Sequence, residues 1–228
     1  MAKQSISPPS AQAPATVPAT VPALTPLAAS VHQDIQNFMS GLSMIFTCEA
    51  EFQLSLADYL RSTNQYQNVV LEYFVPNVKI AGNTANAYIY IGEENEDEYV
   101  PIELKFKTTS LTAPTPPASY YSCFGQLTNY PIVSNMRGHT YNRYYLWRDV
   151  KRIEWIKSQY GQTVKNGFVV FLTNDSAYQK PVNYYSLANC QQYRPVGHPT
   201  RMPQLGISNY YNITWHSSSG ITINGKSP

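Results

Sequence analysis

Glu103 and Lys105 are the two residues of this chain whose types and spacing best suit joint chemistry. They lie in Tyr99-Val100-Pro101-Ile102-Glu103-Leu104-Lys105-Phe106-Lys107, which alternates polar and apolar side chains. On a β-strand this sets Glu103, Lys105 and Lys107 on one face and Ile102, Leu104 and Phe106 on the other. The carboxylate and the ammonium then stand about 7 Å apart along the strand. A carboxylate can hold a divalent metal, and a lysine beside it can orient a water or stabilise charge on a phosphate. For so short a motif the plain alternative is ordinary charge pairing on a solvent-facing strand.

A second group is cationic. From Arg137 to Lys157 there are six Lys/Arg against two acids, Asp149 and Glu154, in a chain of net charge +2. The segment Tyr145–Lys157 reads as a helix with Leu146, Val150 and Ile153 on its apolar face and Gly161 as its stop. Arg143, Arg148, Lys151 and Arg152 are candidates for contacts to backbone phosphates. A solvated charged helix face is the plain alternative.

These groups need a scaffold, and 228 residues with 43% hydrophobic content suffice for one domain with a real core. Only 13% of residues are charged, and tyrosine is abundant at 19 copies. A net charge of +2 is too small to argue for nucleic-acid binding by itself. The three cysteines are odd in number, far apart and without a Cys-x-x-Cys, and the four histidines are scattered. A disulfide framework and a zinc site are therefore not expected. No apolar run reaches the roughly 18 residues of a membrane span, and the first residues lack a continuous apolar segment. The expectation is a cytoplasmic protein without a membrane anchor.

In chain order, residues 1–36 read as a disordered Pro/Ala-rich arm and residues 37–228 as a single domain. A short helix is expected from His32 to about Phe38. A clearer one follows Thr47 as N-cap, with Phe52, Leu56, Tyr59 and Leu60 in one stripe. Glu49 and Glu51 fall in its first turns, where the helix dipole favours anions. Strands are expected at 68–76, 85–91 and 99–107, forming an antiparallel meander that puts Asn86 and Glu103 on adjacent strands. Residues 77–83 read as a loop and 110–142 as irregular. The apolar run Gly167–Asn174 carries the mark of a strand buried on both faces. Beyond it, only 211–215 and 221–223 look strand-like.

The order is helix, three-stranded meander, Glu-x-Lys, loop, basic helix, buried strand. With Glu51-Phe-Gln, Leu71-Glu-Tyr, Val100-Pro-Ile-Glu-Leu-Lys, Leu146-Trp-Arg-Asp-Val-Lys-Arg-Ile-Glu and Phe171-Leu-Thr-Asn-Asp175, it resembles an uncharacterised bacterial branch of the PD-(D/E)xK nuclease superfamily. The resemblance covers about 45–178 and leaves 179–228 as a C-terminal extension. It implies an α/β fold with a restriction-endonuclease-like mixed central sheet flanked by helices. It also implies a Mg²⁺- or Mn²⁺-dependent endonuclease acting on nucleic acid, in the first place DNA. A homodimer is a separate expectation for the assembly. In that family a helix Glu, an Asp on the second strand and the Glu of Glu-x-Lys surround the metal, and the Lys assists the attacking water. Glu51 matches the helix Glu, with Glu49 as a rival, and Glu103 and Lys105 match the signature. The Asp position falls at Asn86, which offers a neutral oxygen where hard cations prefer a charged one. Catalysis is then weakened or lost. The competing readings are a non-catalytic nucleic-acid- or protein-binding module on the same fold, and a Tyr-rich module for carbohydrate or protein.

Overall fold

Thr25 caps the first helix. Its hydroxyl accepts from the Ala28 amide, and Pro26 takes the first helical position, where a missing N–H costs nothing. In a computed structural model of the chain, the residues described are 23–80, 83–93, 98–113, 130–136 and 138–179, with residues 205 and 207. Helix α1 spans Pro26–Ser40 and buries Leu27, Ala28, Val31 and Ile35. The expected boundary of the arm at residue 36 is thereby corrected. Pro-rich composition masked a helix that starts at a proline because proline suits that position.

Helix α2 spans Glu49–Ser62. Its N-cap is Cys48 rather than the expected Thr47, with the thiol sulfur accepting from the Glu51 amide at 3.4 Å. Thr47 still serves the helix start, because its amide and hydroxyl both donate to Glu51 Oε2, at 2.7 and 2.9 Å. Three antiparallel strands follow: β1 (Asn68–Ile80), β2 (Asn83–Glu93) and β3 (Glu98–Lys107). The stretch expected as a loop from 77 to 83 is mostly strand, with a register shift between Val75 and Lys79 absorbing its irregularity. A small pair, β4 (Leu111–Ala113) and β5 (Tyr130–Val133), forms its own sheet. Helix α3 (His139–Tyr160) crosses back to β6 (Phe168–Thr173), which pairs parallel with β3, Glu103 beside Val169 and Lys105 beside Phe171.

The fold is α/β, with a four-stranded mixed sheet in the order β1-β2-β3-β6. Alternation on β3 sorts its two faces. Val100, Ile102, Leu104 and Phe106 join the main core with Ile89, Ile91 and the inward residues of α1 and α2. The opposite face is covered by α3, through Ile156 against Val75 and Tyr90 and through Tyr144, Leu146 and Trp147 with Ile207. Among the described residues β6 ends the sheet order, and it is half-buried along its length, with each face packed against a core rather than fully buried as expected. Its apolar content reflects α1 on one side, where His32 stacks on Phe168, and α3 on the other. Gly167 precedes it because a Cβ there would stand 2.7 Å from Ile153 Cγ2 and 3.1 Å from the Pro101 carbonyl. Bare backbone at that point lets α3 settle against the start of the parallel pair. Among the described residues no helix is long and apolar enough to cross a membrane. The expected strands at 211–215 and 221–223 lie outside the described residues.

Candidate active site

Because the even residues of β3 face the main core, its odd residues must face α3. Glu103 is fully buried and Lys105 nearly so. The solvent-facing alternative for this strand is therefore excluded. Helix α3 meets the two residues with charges of its own, one turn apart on the side it turns to the sheet. Lys105 Nζ lies 2.9 Å from Asp149 Oδ2, and Arg152 Nη1 is bonded to Glu103 Oε2 and stands 3.5 Å from Asp149 Oδ1. The result is a closed quartet of two acids and two bases between strand and helix. Glu103 Oε1 and both Asp149 oxygens are buried without a hydrogen-bond partner, but the Asp149 oxygens face Lys105 and Arg152 as ion pairs.

Burial decides the electrostatics. It pushes the Glu103 carboxyl up to about 8, against the downward pull of the Arg152 guanidinium and with added upward pressure from Asp149. Burial likewise raises Asp149, although Lys105 and Arg152 both favour its ionised form. Half-burial lowers the Lys107 ammonium at the end of the same face, while Glu49 acts in the other direction.

The sequence-predicted residues are thus partly brought together. Glu103, Lys105 and Arg152 converge, and Asp149 joins them. Glu51 does not: its carboxylate serves Thr47 at the start of α2. Its rival Glu49 lies against β3, accepting from the Phe106 amide at 2.9 Å. Asn86 belongs to β2, where its backbone pairs with Phe74, but its side chain lies outside the described residues. Arg143, Arg148, Lys151 and Arg152, the candidates for phosphate contacts, are all engaged within the fold. Arg143 is buried, donates to the Ala177 carbonyl and lies over the Tyr178 ring. Lys151 is buried and donates to Glu154 at 3.0 Å. Arg148 lies 4.7 Å over the Tyr145 ring, and Arg152 is spent on Glu103. Periodicity reported one apolar face and left the charges for solvent, but the Tyr144–Trp147 side is covered by Leu205 and Ile207, far along the chain.

Two features were not singled out from the sequence. Asp149 was counted only against the basic balance; its spacing of three from Arg152 was the available signal. The second is His139, which opens α3 and lies with Nε2 2.6 Å from Asp175 Oδ2. His139, Ala177 and Arg143 hold the Asp175 carboxyl below the usual carboxylate range, against a desolvation that raises it.

A divalent cation was expected here, and the donor chemistry fits one. Mg²⁺ is commonly held by one or two carboxylates with water and substrate oxygens. Glu103 and Asp149 offer two, and one Glu103 oxygen is buried and unpartnered. Among the described residues no group of three or more His, Cys, Asp and Glu is placed to hold a metal, so a protein cage is not on offer. Comparison of the chain with protein-family models, with curated proteins and with solved structures finds no match.

Proposed function

We propose that this chain is a divalent-cation-dependent nuclease of PD-(D/E)xK type, cleaving phosphodiester bonds in nucleic acid, DNA in the first place. The observation that carries the reading is the placement of Glu103 and Lys105. Two residues apart on β3, they share one face, and the face is closed by the helix that follows. The order α2-β1-β2-β3-α3-β6, with β6 parallel to β3, agrees with the order on which the resemblance rests.

In this reading Glu103 holds Mg²⁺ or Mn²⁺, which when bound supplies a Lewis acid for water and phosphate. Lys105, ion-paired with Asp149, turns its side-chain nitrogen to the attacking water. The surrounding apolar side chains limit solvent, which strengthens the interactions among these groups. The second reading, a non-catalytic module on the same fold, is favoured by one observation. Both acids of the quartet already have a basic partner within the fold, Glu103 in Arg152 and Asp149 in Lys105.

Incubation of supercoiled plasmid DNA with the full chain separates the two. The nuclease reading expects nicking that needs Mg²⁺ or Mn²⁺, stops with a chelator and falls about 100-fold or more in Lys105→Ala. Retardation of DNA in a gel with no cleavage under any divalent ion moves the second reading to first place.

A further inference from the structure

We infer that Glu103 and Asp149 together form a divalent-cation site in which the Arg152 guanidinium is the resident counter-ion, displaced when metal and a substrate phosphate enter. The inference rests on the nuclease reading for its substrate but not for its geometry.

Three observations carry it. Arg152 touches both carboxylates at once, bonded to Glu103 Oε2 and 3.5 Å from Asp149 Oδ1. A single cation bridging two acids holds the position a metal shared by them would hold. Second, the bridge is incomplete: Glu103 Oε1 and both Asp149 oxygens are buried without a hydrogen bond, so oxygens of both acids are left for a ligand. Leaving such an atom unsatisfied costs free energy that a cation would recover. Third, the four residues differ in exposure, and the Lys105 side chain is 10% exposed. Glu103 and Asp149 have side chains 0% and 1% exposed, whereas that of Arg152 is 16% exposed and reaches the edge of the cluster. Arginine has a long flexible stem and a guanidinium suited to phosphate. It is the member able to leave, and a phosphate is the partner it would leave for.

Lys105 completes the logic. Its ion pair with Asp149 stays in place when Arg152 swings out, so the site never holds two bare carboxylates. The second acidic ligand then comes from α3, and the neutral side chain of Asn86 need not supply it.

Mn²⁺ alone, titrated into the full chain by calorimetry, tests the inference. Arg152→Met should bind Mn²⁺ about tenfold tighter than the wild type or better, because a competing charge is gone. Arg152→Met with Asp149→Asn should lose that gain. A folded Arg152→Met, checked by circular dichroism, with unchanged Mn²⁺ affinity overturns the inference, as does a gain that survives Asp149→Asn. Should Arg152→Met fail to fold, the wild type decides. Its Mn²⁺ affinity should rise about tenfold with a phosphorothioate DNA duplex present, as reciprocal coupling requires, and no rise overturns the inference. The two readings fail separately. If the wild type nicks plasmid with Mg²⁺ while Asp149→Asn keeps wild-type metal affinity, the inference falls and the nuclease reading stands. If Arg152→Met gains Mn²⁺ through Asp149 but neither chain cleaves, the nuclease reading falls and the inference stands.

Discussion

Lys105 on β3 and Asp149 on α3 are joined by an ion pair of 2.9 Å with side chains 10% and 1% exposed. Buried pairs of this kind are dangerous to break singly, because the remaining partner is left charged in a dry place. Lys105→Met should therefore destabilise the fold by about 3–5 kcal/mol. Lys105→Met combined with Asp149→Leu should recover much of that loss, because no buried charge is stranded. Urea unfolding of the four chains in a double-mutant cycle checks it; additive losses would show that the two residues act independently.

The raised Glu103 carboxyl gives stability a definite pH slope in metal-free buffer. Its folded pKa, pushed up to about 8, lies above the ordinary value of 4.5, so the folded chain holds a proton that the unfolded chain has lost. This contribution is fully present below about 4.5 and disappears as pH rises through about 8. Glu103→Gln should flatten the fall in stability across that window. Thermal melts at a series of pH values measure it, and a slope unchanged in Glu103→Gln would assign the effect to another group.

Asp175 should act in the opposite sense. Its carboxyl is held below the ordinary 3.8, so its contribution is present above that value and lost as pH falls through the lower folded pKa. It also accepts from the Ala177 amide at 2.9 Å, as the cap of the short helical turn Ser176–Tyr178. Asp175→Asn should cost about 1 kcal/mol at neutral pH, with the difference closing in strong acid. Denaturant midpoints at neutral and acid pH provide the check.

Salt dependence of DNA affinity tests the inward turn of the α3 cations. Each phosphate neutralised contributes about 0.9 log units of affinity per tenfold change in salt. Arg143 and Lys151 are engaged by Ala177 and Glu154, so Arg143→Ala and Lys151→Ala should change the slope by less than one such contact. A slope lowered by a full contact in Lys151→Ala would mean that this side chain reaches DNA after all.

The sequence alone determined α2, the three strands of the meander, the body of α3 and β6, because element type depends on local periodicity, but not the start of α1 or the β4–β5 pair. The stripe Phe52, Leu56, Leu60 is buried as its spacing requires, and alternation on β3 places Ile102 and Leu104 in the core. It also set Glu103 and Lys105 on one face, since a period of two admits no other arrangement. Tertiary structure decided what covers that face. Asp149 and Arg152 lie more than 40 positions from Glu103, a separation over which side-chain spacing carries no information. The parallel β3–β6 pair brought α3 across the sheet, and Gly167 let it settle closely. Charges that periodicity assigned to solvent were thereby paired with each other: a buried charge needs an opposite charge beside it, and only the folded chain supplies one.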